Sequence, residues 1–179
     1  MLPHFTWRQA ILATVVLGLG MGEFGCDVEI VYIDPPITLI KGVSNTSPGP
    51  AGLELGFYHQ NSYTPFDDGA LLPVVHGLQG GTWTMPAVRL TGLGTYGELT
   101  CSLTTEAGER VGFVIAKTKF YFNTTGQLEV ANFPIPVFHP DQPGAPIDDL
   151  YGLKATLSCT LFNDSGDAAF QAKIQITAG

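Results

Sequence analysis

Leu99-Thr-Cys101-Ser-Leu103 and Ala155-Thr-Leu157-Ser-Cys159-Thr-Leu161 decide the fold of this chain. In both stretches apolar residues alternate with hydroxyl-bearing ones at a period of two, the repeat of a β-strand with one buried face. Both cysteines fall in the apolar phase and so face a core. The same alternation recurs on either side, in Leu53-Glu-Leu55-Gly-Phe57 and in Phe170-Gln-Ala172-Lys-Ile174-Gln-Ile176. Ala70-Leu-Leu-Pro-Val-Val75 and residues 111–122 read as further strands. Residues 82–90 read as another, in which Trp83 and Met85 share one phase, Val88 and Leu90 the other, and Pro86 marks the bulge or edge between them. Nearer the start, Val28-Glu-Ile30-Val-Tyr32 alternates as a first strand. Pro35-Pro36 interrupts it, and Ile37-Thr-Leu39-Ile40 continues extended.

Turn chemistry separates these runs. Asn61 to Gly69 is a turn-rich connection, and Thr105-Glu-Ala-Gly-Glu109 and Asn163-Asp-Ser-Gly-Asp167 each join two strands. Of 179 residues, 22 are Gly and 13 Pro, together about a fifth of the chain. No long segment has helical periodicity. Eight or nine short strands in roughly one domain imply an all-β, antiparallel β-sandwich. Two core-facing cysteines on separate strands favour an immunoglobulin-like topology, although no Trp lies between them as in true immunoglobulin spacing. A jelly roll is the alternative and a closed barrel the third choice. With 8 Lys and Arg against 16 Asp and Glu, the net charge of −8 gives no electrostatic reason to bind nucleic acid.

The N-terminus carries an address. Arg8 precedes an uncharged run of thirteen residues, 10–22, too short to span a bilayer but suited to the apolar core of a secretory signal. The following Glu23-Phe24-Gly25-Cys26 resembles the lipobox of bacterial lipoproteins, in which a small residue precedes a cysteine that is diacylated and becomes the new N-terminus. Gly25 and Cys26 match that pattern, whereas Glu23 stands where it has an aliphatic residue. Ordinary cleavage after Gly22 and an uncleaved anchor are the competing readings. Cysteine arithmetic favours lipidation: three cysteines are odd for an exported protein, and removing Cys26 leaves a pair. A Cys101–Cys159 bridge then follows in an oxidising compartment, with two separately buried thiols as the alternative. The bridge would stabilise the fold by about 4 kcal/mol in the chain-entropy model. The chain thus divides into a signal peptide (1–25), a lipid-attachment cysteine, first strand and tether (26–50), and a β-sandwich (51–179).

The stretch Asp67-Asp-Gly-Ala-Leu-Leu-Pro-Val-Val-His76-Gly-Leu-Gln79-Gly80-Gly81-Thr-Trp83, with the lipobox-like start, resembles an uncharacterised family of bacterial lipoproteins. These share an acidic-Gly turn, an apolar strand and a Gly-x-Gln-Gly-Gly turn. The resemblance covers mainly residues 68–90 and implies no activity. A tight connection between strands accounts for the glycines, and the Lys-Ser/Thr that completes a phosphate-binding loop is missing.

Candidate sites are few. His59, His76 and His139, with Asp67 or Asp68, could hold copper or zinc in a periplasmic or secreted protein, but their spacing matches no recognised ligand pattern. Asp67-Asp68 and Asp148-Asp149 offer oxygens to calcium, and turn chemistry explains both pairs. There is no Gly-x-Ser-x-Gly elbow, no His-Glu-x-x-His helix and no dinucleotide-binding glycine pattern. Separated carboxylates such as Glu54 and Glu129 could serve a hydrolase, but scattered carboxylates read more simply as a solvated face. Asn45, Asn123 and Asn163 head N-glycosylation triplets, which carry information only in a eukaryotic secretory pathway. Tyr58, His59, Tyr63 and Phe66 form an aromatic cluster in a loop region, with packing beneath the loop as the alternative; His76, just before the glycine turn, and Gln79, within it, complete the candidate contact set. The chain therefore reads as a non-catalytic, lipid-anchored envelope module, without cofactor, that presents loops or an edge strand to an envelope or extracellular partner.

Overall fold

The computed structural model describes residues 46–179 apart from 60, 61, 78, 79 and 143. Cys26, the strand expected at residues 28–32 and Gln79 lie outside the described residues. The chain folds into two sheets packed on one core, the all-β sandwich expected from the sequence. One sheet has the order β2 (Ser62–Pro65), β1 (Gly52–His59), β5 (Ala87–Thr91), β9 (Leu128–Val130), β8 (Tyr121–Phe122). The other runs β10 (Ile135–Pro136), β4 (Thr82–Thr84), β3 (Ala70–His76), β12 (Gly166–Ala178), β11 (Lys154–Asn163), β6 (Tyr96–Thr105), β7 (Arg110–Lys119). All of these pairings are antiparallel except that of β3 with β12. Among the described residues no helix is long and apolar enough to cross a membrane.

The period-two pattern becomes a layered core. Leu99, Cys101 and Leu103 of β6 lie directly opposite Leu161, Cys159 and Leu157 of β11, and all six are buried. Leu53, Leu55, Val88, Leu90 and Leu128 bury from the five-stranded sheet, and each such side chain contributes roughly 1.5–3 kcal/mol. The hydroxyls of β6 and β11 pair on the opposite face, Thr100 across from Thr160, Ser102 from Ser158 and Thr104 from Thr156. Cys101 and Cys159 form a disulfide with a Cα–Cα separation of 4.1 Å, that of a closely opposed cross-strand pair. The immunoglobulin-like expectation rested on core cysteines from separate strands. Here those strands are neighbours, so the bridge staples one sheet rather than joining two.

Two expected strands prove to be pairs. Residues 82–90 divide at Met85-Pro86 into β4 and β5, which belong to different sheets, so the phase change marks a crossover rather than a bulge. Residues 111–122 likewise break at Phe120, buried with its N–H donated to the Thr95 carbonyl, where β7 gives way to β8 in the other sheet. The connection expected at residues 61–69 contains β2. Ser47 is buried and bonds the carbonyls of Leu90 and Leu93, so the domain begins before residue 51.

Replacing both cysteines, Cys101→Ala with Cys159→Ala, is expected to lower the unfolding free energy by about 4 kcal/mol, since the bridge closes a 58-residue separation. Urea unfolding of the two proteins measures it, and unchanged stability contradicts a structural bridge.

Candidate functional site

The outer face of the five-stranded sheet carries a polar row dictated by register. Glu54 of β1 stands opposite Arg89 of β5, which stands opposite Glu129 of β9. Arg89 Nε donates to Glu129 Oε2 at 2.7 Å, and Tyr58 donates its hydroxyl hydrogen to Glu129 Oε1 at 2.5 Å. Arg89 also bonds Tyr58 Oη through Nη2 at 3.0 Å, and Asn123 Nδ2 reaches Glu129 Oε2 at 3.1 Å. The guanidinium lies 3.5 Å from the centroid of the Tyr63 ring, which packs over the bare backbone of Gly56. Burial raises the Glu129 carboxyl, but hydrogen bonds from Tyr58, Arg89 and Asn123 outweigh it and hold its pKa below the ordinary carboxylate value. Burial and the Glu54 charge push the Tyr63 phenol above its usual range. The result is a brace in which Glu129 is held ionised and Tyr63 protonated near neutrality.

Beside this row the sandwich is open. β7 and β8 are the outermost strands of their sheets on the same side, and between them lies a groove of about 930 Å³, within the range of small-molecule sites. Buried Val114, Ala116 and Phe133 line its base, and exposed Met85, Tyr121 and Phe122 its rim. Pro134 and Pro136 line one wall; lacking N–H donors, they cannot extend a ladder across the gap. Lys117 and Lys119 sit at the mouth, and Glu129, already neutralised, is the one carboxylate of the lining.

The glycine-rich turn builds part of this wall. Gly77 N–H bonds the Gly81 carbonyl at 2.7 Å between β3 and β4, and Gly80 has a φ of 89°. A Cβ on Gly77 or Gly81 would stand 2.3 or 2.0 Å from ring atoms of Trp83. The two glycines therefore seat the indole, and the indole lines the groove.

The other sequence candidates disperse. Tyr58 and Tyr63 meet edge to face at 5.7 Å, whereas Phe66 is buried against Phe57 and Phe170, a core residue rather than an exposed contact. His59 ends β1 in an exposed position. His76 bonds Tyr151 Oη at 2.8 Å, and His139 bonds Asp149 at 3.1 Å. Among the described residues no group of three or more His, Cys, Asp or Glu could hold a metal. Asp67, Asp68 and Gly69 form a turn, with Ala70 N–H on the Asp67 carbonyl and Asp68 accepting from the Lys173 N–H. The amide nitrogens of Asn123 and Asn163 are engaged internally, the latter on the carbonyls of Gly94 and Tyr96. Sequence reasoning missed Arg89 and the groove; the apolar run at 111–116 ending in Lys117-Thr-Lys119 was their only trace. No family model, curated protein or solved structure matches the chain.

Glu129→Gln is expected to cost about 1–3 kcal/mol at pH 7. Because the folded pKa is depressed, this stabilisation is present above the ordinary carboxylate range and lost as pH falls through the folded value. Urea unfolding from pH 7 to 3 should show the gap between wild type and variant narrowing; a constant gap would contradict the ionised brace. Gly81→Ala should displace Trp83 and shift its emission, and an unchanged spectrum would argue against the seating.

Proposed function

We propose that this chain is a binding module of a bacterial cell envelope, anchored by acylation of Cys26, that receives a ligand in the groove at the open side of its sandwich. The groove carries the reading: it is preformed, mostly apolar and rimmed by a few polar groups, as small-molecule sites are. The ionised Glu129, fully occupied by Arg89, Tyr58 and Asn123, supports binding over acid–base chemistry. The anchor draws its support from the sequence. With Cys101 and Cys159 paired, Cys26 is left outside the bridge, beside Gly25 and after an apolar run. Residues between Cys26 and Ser47 serve as the tether.

Mass spectrometry of the protein extracted from its bacterial host tests both parts. Under denaturing conditions the mass should be that of a chain starting at Cys26 with added acyl mass, and under native conditions a fraction should carry a small molecule. An unmodified chain starting at Glu23 would overturn the anchor. A native mass with no adduct, together with no exchange of added apolar probes, would overturn the ligand site.

A further inference from the structure

We infer that the groove takes a single-chain anionic amphiphile, a long-chain carboxylate, with its tail along β7 and its head at Lys119 and Lys117. The inference rests on the binding reading above and names the ligand class. From Val114 to Lys119 the strand spans six residues, five steps of roughly 17 Å in all at the rise of an antiparallel strand, so the groove is long enough for an extended chain. Its inner end is lined by Val114, Ala116 and Phe133, side chains with no polar atoms to satisfy. A tail fits these walls; a sugar or peptide backbone would leave its polar groups unpaired there.

Charge complementarity fixes the head. Of the 8 Lys and Arg, Arg8 and Lys41 precede the described residues, leaving six. Two of those six stand at this mouth in a chain of net charge −8. Lys117 faces Glu98 across the β6–β7 ladder, but Lys119 faces Tyr96, and its ammonium lies 5.3 Å from the Tyr121 ring. Glu129, the lining's carboxylate, is neutralised by Arg89 at 2.7 Å. The mouth is thus locally cationic on an acidic protein, which selects an anion over a cation or a zwitterion.

The Cys26→Ser protein can be titrated with dodecanoate, tetradecanoate and tetradecanol, with Trp83 emission and displacement of cis-parinarate as readouts. Tetradecanoate should bind more tightly than dodecanoate, by up to about fourfold for each added methylene. Lys117→Glu with Lys119→Glu, at exposed positions, should weaken the carboxylates roughly tenfold at low salt and leave tetradecanol unchanged. Ala116→Trp should fill the groove and abolish binding of all three; Met85→Glu at the exposed rim gives the same test if the first variant does not fold. Equal affinities for tetradecanol and tetradecanoate, with no effect of charge reversal, would overturn the anionic class while leaving the groove as a binding site. Binding that survives both Ala116→Trp and Met85→Glu, or no binding of any probe, would overturn the groove itself.

Discussion

The register between β6 and β11 is the constraint on which the rest of the structure depends. Cys101 faces Cys159 directly, and a slip of β11 by one residue would turn Cys159 and its flanking Leu157 and Leu161 away from the core. The disulfide makes that slip impossible without breaking a covalent bond. Each neighbouring strand then inherits the phase. β12 pairs with β11 so that Ala172 lies opposite Leu157, and β7 pairs with β6 so that Val114 lies opposite Cys101 and Ala116 opposite Leu99. The base of the groove is therefore set by the cysteine pair, one member of which lies on the adjoining strand directly opposite Val114.

The five-stranded sheet has no such covalent staple and shorter strands. Its β9 has three residues and β8 two, too few for ladder hydrogen bonds and apolar contacts alone to hold them. Arg89 supplies the missing link, because it bonds a carboxylate on β9 while its guanidinium lies on an aromatic ring from β2. Asn123, just after β8, adds a third tie through the same carboxylate. A buried charge so fully paired is stabilising only as a set, since removing one member strands the others. The brace stands behind the groove, and through Glu129 it fixes the wall formed by β8 and β9.

The sequence made the long strands legible for a physical reason. β1, β6, β11 and β12 each bury one face over most of their length, and burial of one face imposes period two. The turns were equally plain, since Gly108 in the β6–β7 hairpin and Gly69 in the connection from β2 to β3 take positive φ where the sequence places glycine in a turn. What stayed hidden depends on pairing. Pro86 shifts the hydrophobic phase in the same way for a bulge as for a change of sheet, so β4 and β5 read as one strand. The cysteines announced a core but not which strands would be neighbours. Arg89 carries no signal in the sequence, because only its pairing with β1 and β9 places a carboxylate on either side of it. Strands of two or three residues, such as β8 and β10, are too short to show any period.

An open side is a liability for a β-sandwich, because the unpaired edge of a ten-residue strand such as β7 invites other strands to add to it. Over residues 110–112 the edge is covered, where Gly112 bridges Val137 and the Phe138 N–H bonds the Val111 carbonyl. Further along, the prolines at 134 and 136 prevent the wall from continuing that cover, and the two exposed lysines at 117 and 119 discourage a strand from docking. Lysines and prolines are the residues by which sheet edges are kept from pairing, yet here they also frame an apolar slot. The combination keeps an apolar slot beside the edge of β7 while discouraging strand addition there, a shape that suits the ligand site proposed above.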